Sequence, residues 1–354
     1  MKKVILAALV AVLSVAFAIT PALASIPTAV TVTTTSLGPV INAQWEQRFD
    51  GNPLDDSPVA DSQFLPSGQY DVDTCVALFA VVSDPEGISD VDMVWADLQW
   101  PAWQGWCNDP VEEIQLSKMP YYHWTSVGLD VFNAAYQAGL VTFGSGYSYA
   151  QVAEAIQQDS ARVFVGAECF SYCDPAGIYS VNYVGQDKSG AQGSMVGQFE
   201  FLQWSGIEVD FTSVDYTPVK INTWKQVDGD MLWNSPAGVD NSGTPATVRN
   251  VGNVACTVQI MQDDMGFGTR ESFGRILSNV HYYARLGNAA GDKVTYDPGQ
   301  WVTIPGVIPL CCEAQKLDLG IYVEKLPGGK VSYTGNVYLD TTGVAFTPCT
   351  ETVG

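Results

Sequence analysis

The stretch Gly243 to Asp264 (GTPATVRNVGNVACTVQIMQDD) holds an alternating run over Val254–Met261. Val254, Cys256, Val258 and Ile260 are separated by Ala255, Thr257, Gln259 and Met261, the period of a strand with one buried face. Just upstream, Arg249–Asn253 interrupts the run with Asn and Gly, residues suited to turns. Lys316–Val323 (KLDLGIYV) predicts a partner strand, followed by a Pro-Gly-Gly turn at 327–329 and a strand over Val331–Leu339. Earlier, Tyr70–Val82 (YDVDTCVALFAVV) predicts a long strand, Ser83–Gly87 a turn, and Asp90–Leu98 the next strand. Cys173–Asp187 (CDPAGIYSVNYVGQD) reads as another turn and strand. Ile26–Leu37 is β-branched and uncharged, an extended arm that either joins its own sheet or adds to the open edge of a neighbour's. Residues 46–68, rich in Asp, Pro, Ser and Gly, read as a loop.

The period changes between 122 and 160. Leu129, Phe132 and Tyr136 recur at helical spacing, and Ser148-x-x-Gln151 has the form of a capping box ahead of Val152 and Ile156 on one face. Residues 188–200 (KSGAQGSMVGQFE) are Gly- and Ser-rich, a loop or a domain connection. No repeat of solenoid or propeller length is present. The expected fold is mainly β, with two immunoglobulin-like β-sandwich domains. The expected boundaries are 1–24 leader, 25–69 arm and loop, 70–200 first sandwich with a helical insertion at about 122–160, and 201–354 second sandwich.

The leader comes from Lys2 and Lys3, an apolar run Val4–Ala18, and Ala22-Leu23-Ala24 before Ser25, the pattern of a secretory signal peptide. No later stretch is apolar enough to cross a bilayer, so no membrane span is expected after cleavage. Without Lys2 and Lys3, 14 basic residues face 38 acidic ones, a net charge of −24. That balance repels nucleic acid and anionic lipid and excludes both as partners. With 15% charged and 47% hydrophobic residues the chain has material for large cores or interfaces.

Export changes the meaning of the eight cysteines, Cys75, Cys107, Cys169, Cys173, Cys256, Cys311, Cys312 and Cys349. An even count in an oxidising compartment predicts disulfides, with connectivity open. Zinc held by Cys169-x-x-x-Cys173 with Cys311-Cys312 is the competing reading, weakened by irregular spacing. Adjacent Cys311 and Cys312 face opposite sides of a strand, so one of them, with Cys349, is a candidate for a bond between subunits.

Candidate chemistry is thin. His123 and His281 are the only histidines, and neither sits in a His-Glu-x-x-His pattern or beside a Gly-x-Ser-x-Gly elbow. Glu112-Glu113 and Asp263-Asp264 have the form of catalytic carboxylate pairs, but such pairs arise by chance in so acidic a chain. Trp100, Trp103 and Trp106 (LQWPAWQGWCND) are candidates for an interface, for packing over the sandwich edge, or for stacking on sugar rings. Asp84, Glu86, Asp90 and Asp92 are candidate Ca²⁺ ligands, and Asp228-Gly-Asp230 a weaker set; no other cofactor is expected. No Asn-x-Ser/Thr sequon occurs, so N-glycosylation is not expected.

The phrase VVSDPEGISDVDMVWADLQWP and its counterpart DPAGIYSVNYVGQD resemble immunoglobulin-like modules of prokaryotic and archaeal surface proteins. With VRNVGNV, GKVSYTGNVYL and the leader, they resemble surface-layer and sheath subunits of archaea, particularly of filamentous methanogens. The resemblance implies a non-enzymatic structural subunit of a cell-envelope sheath, surface layer or filament. Its partners would be copies of itself or other surface proteins, joined through β-edges and disulfides. The alternative is a secreted carbohydrate-binding sandwich that uses the Trp100–Trp106 loop.

Overall fold

A computed structural model describes residues 37–50, 62–101, 111–118, 121–122, 125–234, 237–239, 245–287, 293–310, 314–328 and 332–344. The expected arm lies outside them except for Leu37, as do Cys107, Cys311, Cys312, Cys349, Trp103, Trp106 and His123.

The first sandwich is built on a strand that is apolar on both faces. In β3 (Thr74–Ser83) Val76, Leu78, Ala80 and Val82 point into the sandwich, while Ala77, Phe79 and Val81 point to the opposite side. Burial on both faces explains the unbroken apolar run, which a half-exposed strand would not show. β1 (Val40–Phe49) and β10 (Ala161–Phe170) flank it antiparallel, with β9 (Thr142–Phe143) beyond β1 and β6 (Ser117–Lys118) beyond β10. The facing sheet runs β2 (Gln63–Phe64), β12 (Gln192–Phe201), β11 (Gly177–Asp187), β4 (Val91–Gln99) and β5 (Val111–Gln115). Tyr179 at the start of β11 donates from Oη to the Pro175 carbonyl (2.9 Å), the tyrosine corner of immunoglobulin-like sandwiches.

The other face of β3 is covered by the helical insertion. After a short hairpin of β7 (Tyr121–Tyr122) and β8 (Thr125–Ser126), α1 (Val127–Gln137) and α2 (Tyr149–Gln157) lie over it. Trp45 of β1 stacks on Phe79 at 4.7 Å, and Phe132 of α1 tilts against the same indole at 6.0 Å. Val152 and Ile156 are buried on one face of α2, as their spacing predicts. The capping box forms differently: Ser148 Oγ donates to Gln151 Oε1 (2.7 Å) and makes no bond to a helix amide. The insertion is a packing lid on the sheet.

The second sandwich places β13 (Ile207–Val209), β17 (Thr247–Asn250), β24 (Gln315–Val323), β21 (Val280–Leu286) and β22 (Lys293–Tyr296) in one sheet, with β15 (Trp224–Val227) also on β24. Across the core lie β23 (Val302–Thr303), β18 (Cys256–Gln262) and β25 (Val337–Gly343). β18 alternates strictly between buried and half-buried positions, with Cys256, Val258 and Ile260 inward, as the sequence pattern predicts. Two smaller pairs complete it: β14 (Phe211–Val214) with β16 (Ala237–Val239), and β19 (Thr269–Ser272) with β20 (Arg275–Ser278).

Four expectations change. The first sandwich begins at Val40, because β1 lies inside the span read as arm and loop and pairs with β3 from Val40↔Ser83 to Phe49↔Cys75. Residues 192–201 are a strand, so the link between sandwiches is 202–206 and not 188–200. The last two strands form no hairpin: β24 and β25 belong to opposite sheets, and β25 pairs with β18 from Cys256↔Gly343 to Gln262↔Val337. β25 also starts at Val337, later than the expected Val331.

Candidate functional site

The phrase Val248–Val254 (VRNVGNV) turns out to be the joint between the sandwiches. The Asn253 carboxamide accepts from Trp204 N (2.8 Å) through Oδ1 and donates to the Leu202 carbonyl (2.9 Å) through Nδ2. Its backbone amide donates to the Trp204 carbonyl (3.1 Å), and Val251 N donates to Gly206 O (3.0 Å). One turn of the second sandwich thus grips the connecting segment along its length. Gly252 is required there, since a Cβ would fall against the Trp204 carbonyl and within 2.8 Å of Gly206 N.

Arg249 completes the joint. Its guanidinium lies 3.5 Å from the Tyr70 ring centroid, on the β2–β3 loop of the first sandwich, and 3.6 Å from that of Trp233 in the second. Glu208 holds it through Nη2 (2.6 Å) and also accepts from Tyr70 N (3.3 Å). A planar cation between two aromatic faces, fixed by a carboxylate, is a contact that lysine could not reproduce.

Sulfur chemistry is divided. Cys75 and Cys169 form a disulfide between directly opposed positions of β3 and β10, and Cys173 is also disulfide-bonded. Neither Cys169 nor Cys173 is therefore free to hold zinc. Cys256, expected among the bonded cysteines, is a free thiol with no exposed surface in the second core. The alternation of β18 turns it inward, and burial pushes the thiol up to about 11, so it behaves as a small apolar side chain.

The sequence marked no residue as catalytic, and of the groups weighed there His281, Asp263 and Asp264 are engaged in structural bonds. His281 is held by both ring nitrogens, Nδ1 by Asp297 Oδ1 (2.5 Å) and Nε2 by Glu324 Oε1 (3.1 Å), while Glu324 also pairs with Arg270. Neither nitrogen is left for a substrate proton. Asp263 and Asp264 spend their oxygens on turn amides, including Met265 N (2.9 Å), Asn336 N (2.8 Å) and Gly266 N (2.8 Å). The side chains of Glu112 and Glu113 lie outside the described residues. Trp100 packs onto the first core, 5.6 Å from Tyr179 and 6.1 Å from Phe170.

Of the acidic set, Asp84 and Asp90 come together, joined by a residue that sequence spacing did not suggest, Asp187 at the end of β11. One carboxylate oxygen from each lies within 4.8 Å of the other two. Glu86 is exposed, donates its amide to Asp84 Oδ1 (2.8 Å) and accepts from Leu37 N (3.4 Å); Asp92 faces solvent. Asp228 and Asp230 are engaged locally: Asp228 takes the Gln226 side-chain amide, and Asp230 the Leu232 amide (2.9 Å). Burial first, then the Glu86 and Asp90 carboxylates, raise Asp84 from its ordinary value.

No protein-family model and no curated protein sequence matches the chain. Among solved structures it is similar to a chaperone–tip adhesin complex of CFA/I fimbriae biogenesis, at 10% identity, 86% coverage of both chains and a TM-score of 0.23. It is also similar to the C-terminal domain of the Streptococcus pyogenes antigen I/II-family protein AspA (9%, 86% of this chain and 96% of that one, 0.21). A third is the CsuC–CsuE chaperone–tip subunit complex of Acinetobacter baumannii Csu pili (9%, 73% and 88%, 0.24). Likeness at these TM-scores carries no argument about function.

Proposed function

We propose that the chain is a secreted, non-catalytic structural subunit of a cell-envelope assembly (sheath, surface layer or filament), associating with copies of itself. The observation that carries this reading is the β19–β20 hairpin. At its tip Phe273 is fully exposed and Ile276 is 78% exposed, an apolar pair left uncovered by the described residues. Phe273 (φ +49°) and Gly274 (φ +71°) form a two-residue turn with both residues left-handed. Asn or Asp is the usual choice at the first position; a Phe there costs about 1 kcal/mol of backbone strain. A strained, solvent-facing aromatic at a hairpin tip suits insertion into a neighbouring subunit.

Supporting features are the disulfides, which suit an oxidising exterior, and a joint that fixes two sandwiches as one building block. None of the described helices is long and apolar enough to cross a membrane. The inward packing of Trp100 weighs against its use as a sugar-stacking platform.

Electron microscopy of the protein under oxidising conditions tests this, beside the double substitution Phe273→Ser/Ile276→Ser. Ordered polymers from the wild type, dispersed by the substitution, support the reading. Single particles from the wild type refute self-assembly, and polymers unchanged by the substitution remove the hairpin as the contact.

A further inference from the structure

We propose that Asp84, Asp90 and Asp187 bind one calcium ion, which ties together the two sheets at one end of the first sandwich. The three residues come from separate places. Asp84 follows β3 in one sheet, whereas Asp90 precedes β4 and Asp187 ends β11 in the other.

Distance, burial and unmet bonding agree. Calcium takes oxygen ligands at about 2.4 Å, so two oxygens on one ion stand at most about 4.8 Å apart, the limit that these three meet. Asp84 is only 7% exposed, yet its Oδ2 is buried with no hydrogen-bond partner. Such an oxygen normally finds a donor, and leaving one buried and unpaired is costly. Its other oxygen is occupied by Glu86 N, so Oδ2 is the oxygen left to take an ion.

Asp187, 1% exposed, is set firmly in place: its Oδ1 accepts from Ser189 N (2.8 Å), Ser189 Oγ (2.7 Å) and Ala191 N (2.8 Å). The backbone fixes the rest, with Gly87 N donating to Asp84 O (2.9 Å) and Lys188 N to Asp90 O (3.0 Å). The nearby Lys188 ammonium, which could have neutralised the cluster, donates instead to the Ser89 carbonyl (2.7 Å). Ion pairs among the described residues involve neither Asp84 nor Asp90.

The donor set selects the ion. All-carboxylate oxygen is hard, which disfavours zinc, and two buried carboxylates require an ion that gives up its water readily, which disfavours magnesium.

The test is thermal unfolding of the purified protein in EDTA and in calcium chloride, with calorimetric titration of calcium alongside. Wild type is expected to bind calcium and to unfold about 5 °C higher at a hundred times the dissociation constant. Magnesium at the same concentration should give a smaller rise. Asp84→Asn should abolish the response; Asp90→Asn, at a half-exposed position, should do the same without disturbing the fold. Absence of heat and of any shift in the wild type overturns the site. So does a full response retained in both variants, which would place the binding elsewhere on this acidic surface.

Discussion

Glu46 is a carboxyl group without water, 2% exposed between the sheets of the first sandwich. Burial raises its proton affinity to about 8, even though Tyr183 Oη donates to its Oε1 at 2.8 Å. The unfolded chain takes up the same proton near 4.5. Between those values the folded state holds more protons, so each unit rise in pH lowers stability by about 1.4 kcal/mol. Below 4.5 the group contributes no such dependence. Glu46→Gln keeps the shape and an acceptor for Tyr183, and urea unfolding at pH 5, 6.5 and 8 should show a flatter profile and higher stability at pH 8. An unchanged slope would mean that Glu46 titrates normally. Other single residues differed in how well the sequence revealed them. Val258 and Ile260 were visible because strand parity alone fixes their side. Cys256 was misjudged because counting thiols ignores that same parity. Asp187 was missed because nothing local marks it; only β11 lying beside β4 brings it to Asp90.

At the level of elements, apolar alternation was legible and buried polarity was not. β1 reads Val-Ile-Asn-Ala-Gln-Trp-Glu-Gln-Arg-Phe, and its Asn42, Gln44, Glu46 and Gln47 look like loop residues, yet all are buried. They are tolerated because many have partners, such as Ser83 Oγ on Asn42 Oδ1 (2.8 Å) and Trp45 Nε1 on Gln47 Oε1 (3.2 Å). The helices were legible from their spacing, but the sheet they cover could not be named from sequence. α1 buries Val131, Phe132 and Ala135, and Phe132 has no exposed surface and packs against the Trp45 ring. Phe132→Ala should therefore cost about 3–5 kcal/mol, read as a lower urea midpoint. A loss below about 1 kcal/mol would show that the lid is loosely seated. The misread final hairpin has a topological cause: successive strands of a sandwich often cross between sheets, and turn residues alone do not say so.

For the whole molecule, the decisive feature is the joint rather than either core. Asn253 and Arg249 grip the connecting segment and the Tyr70 loop from one side, so the two sandwiches are expected to move together. Replacing both by alanine removes the bonds to Trp204 N and Leu202 O and the stacked cation, leaving polar backbone unpaired at about 1–3 kcal/mol. Small-angle scattering should then report a larger radius of gyration with each sandwich still folded. Scattering indistinguishable from wild type would show that the link is stiff on its own. The Cys75–Cys169 bond has a consequence of a different kind. It spans 94 residues and encloses β4, β5 and both helices, together with the tryptophan-rich segment. A protease that nicks that segment cannot release either piece, because sulfur still holds the ends together. A cut there leaves a scar in the chain but both fragments in place.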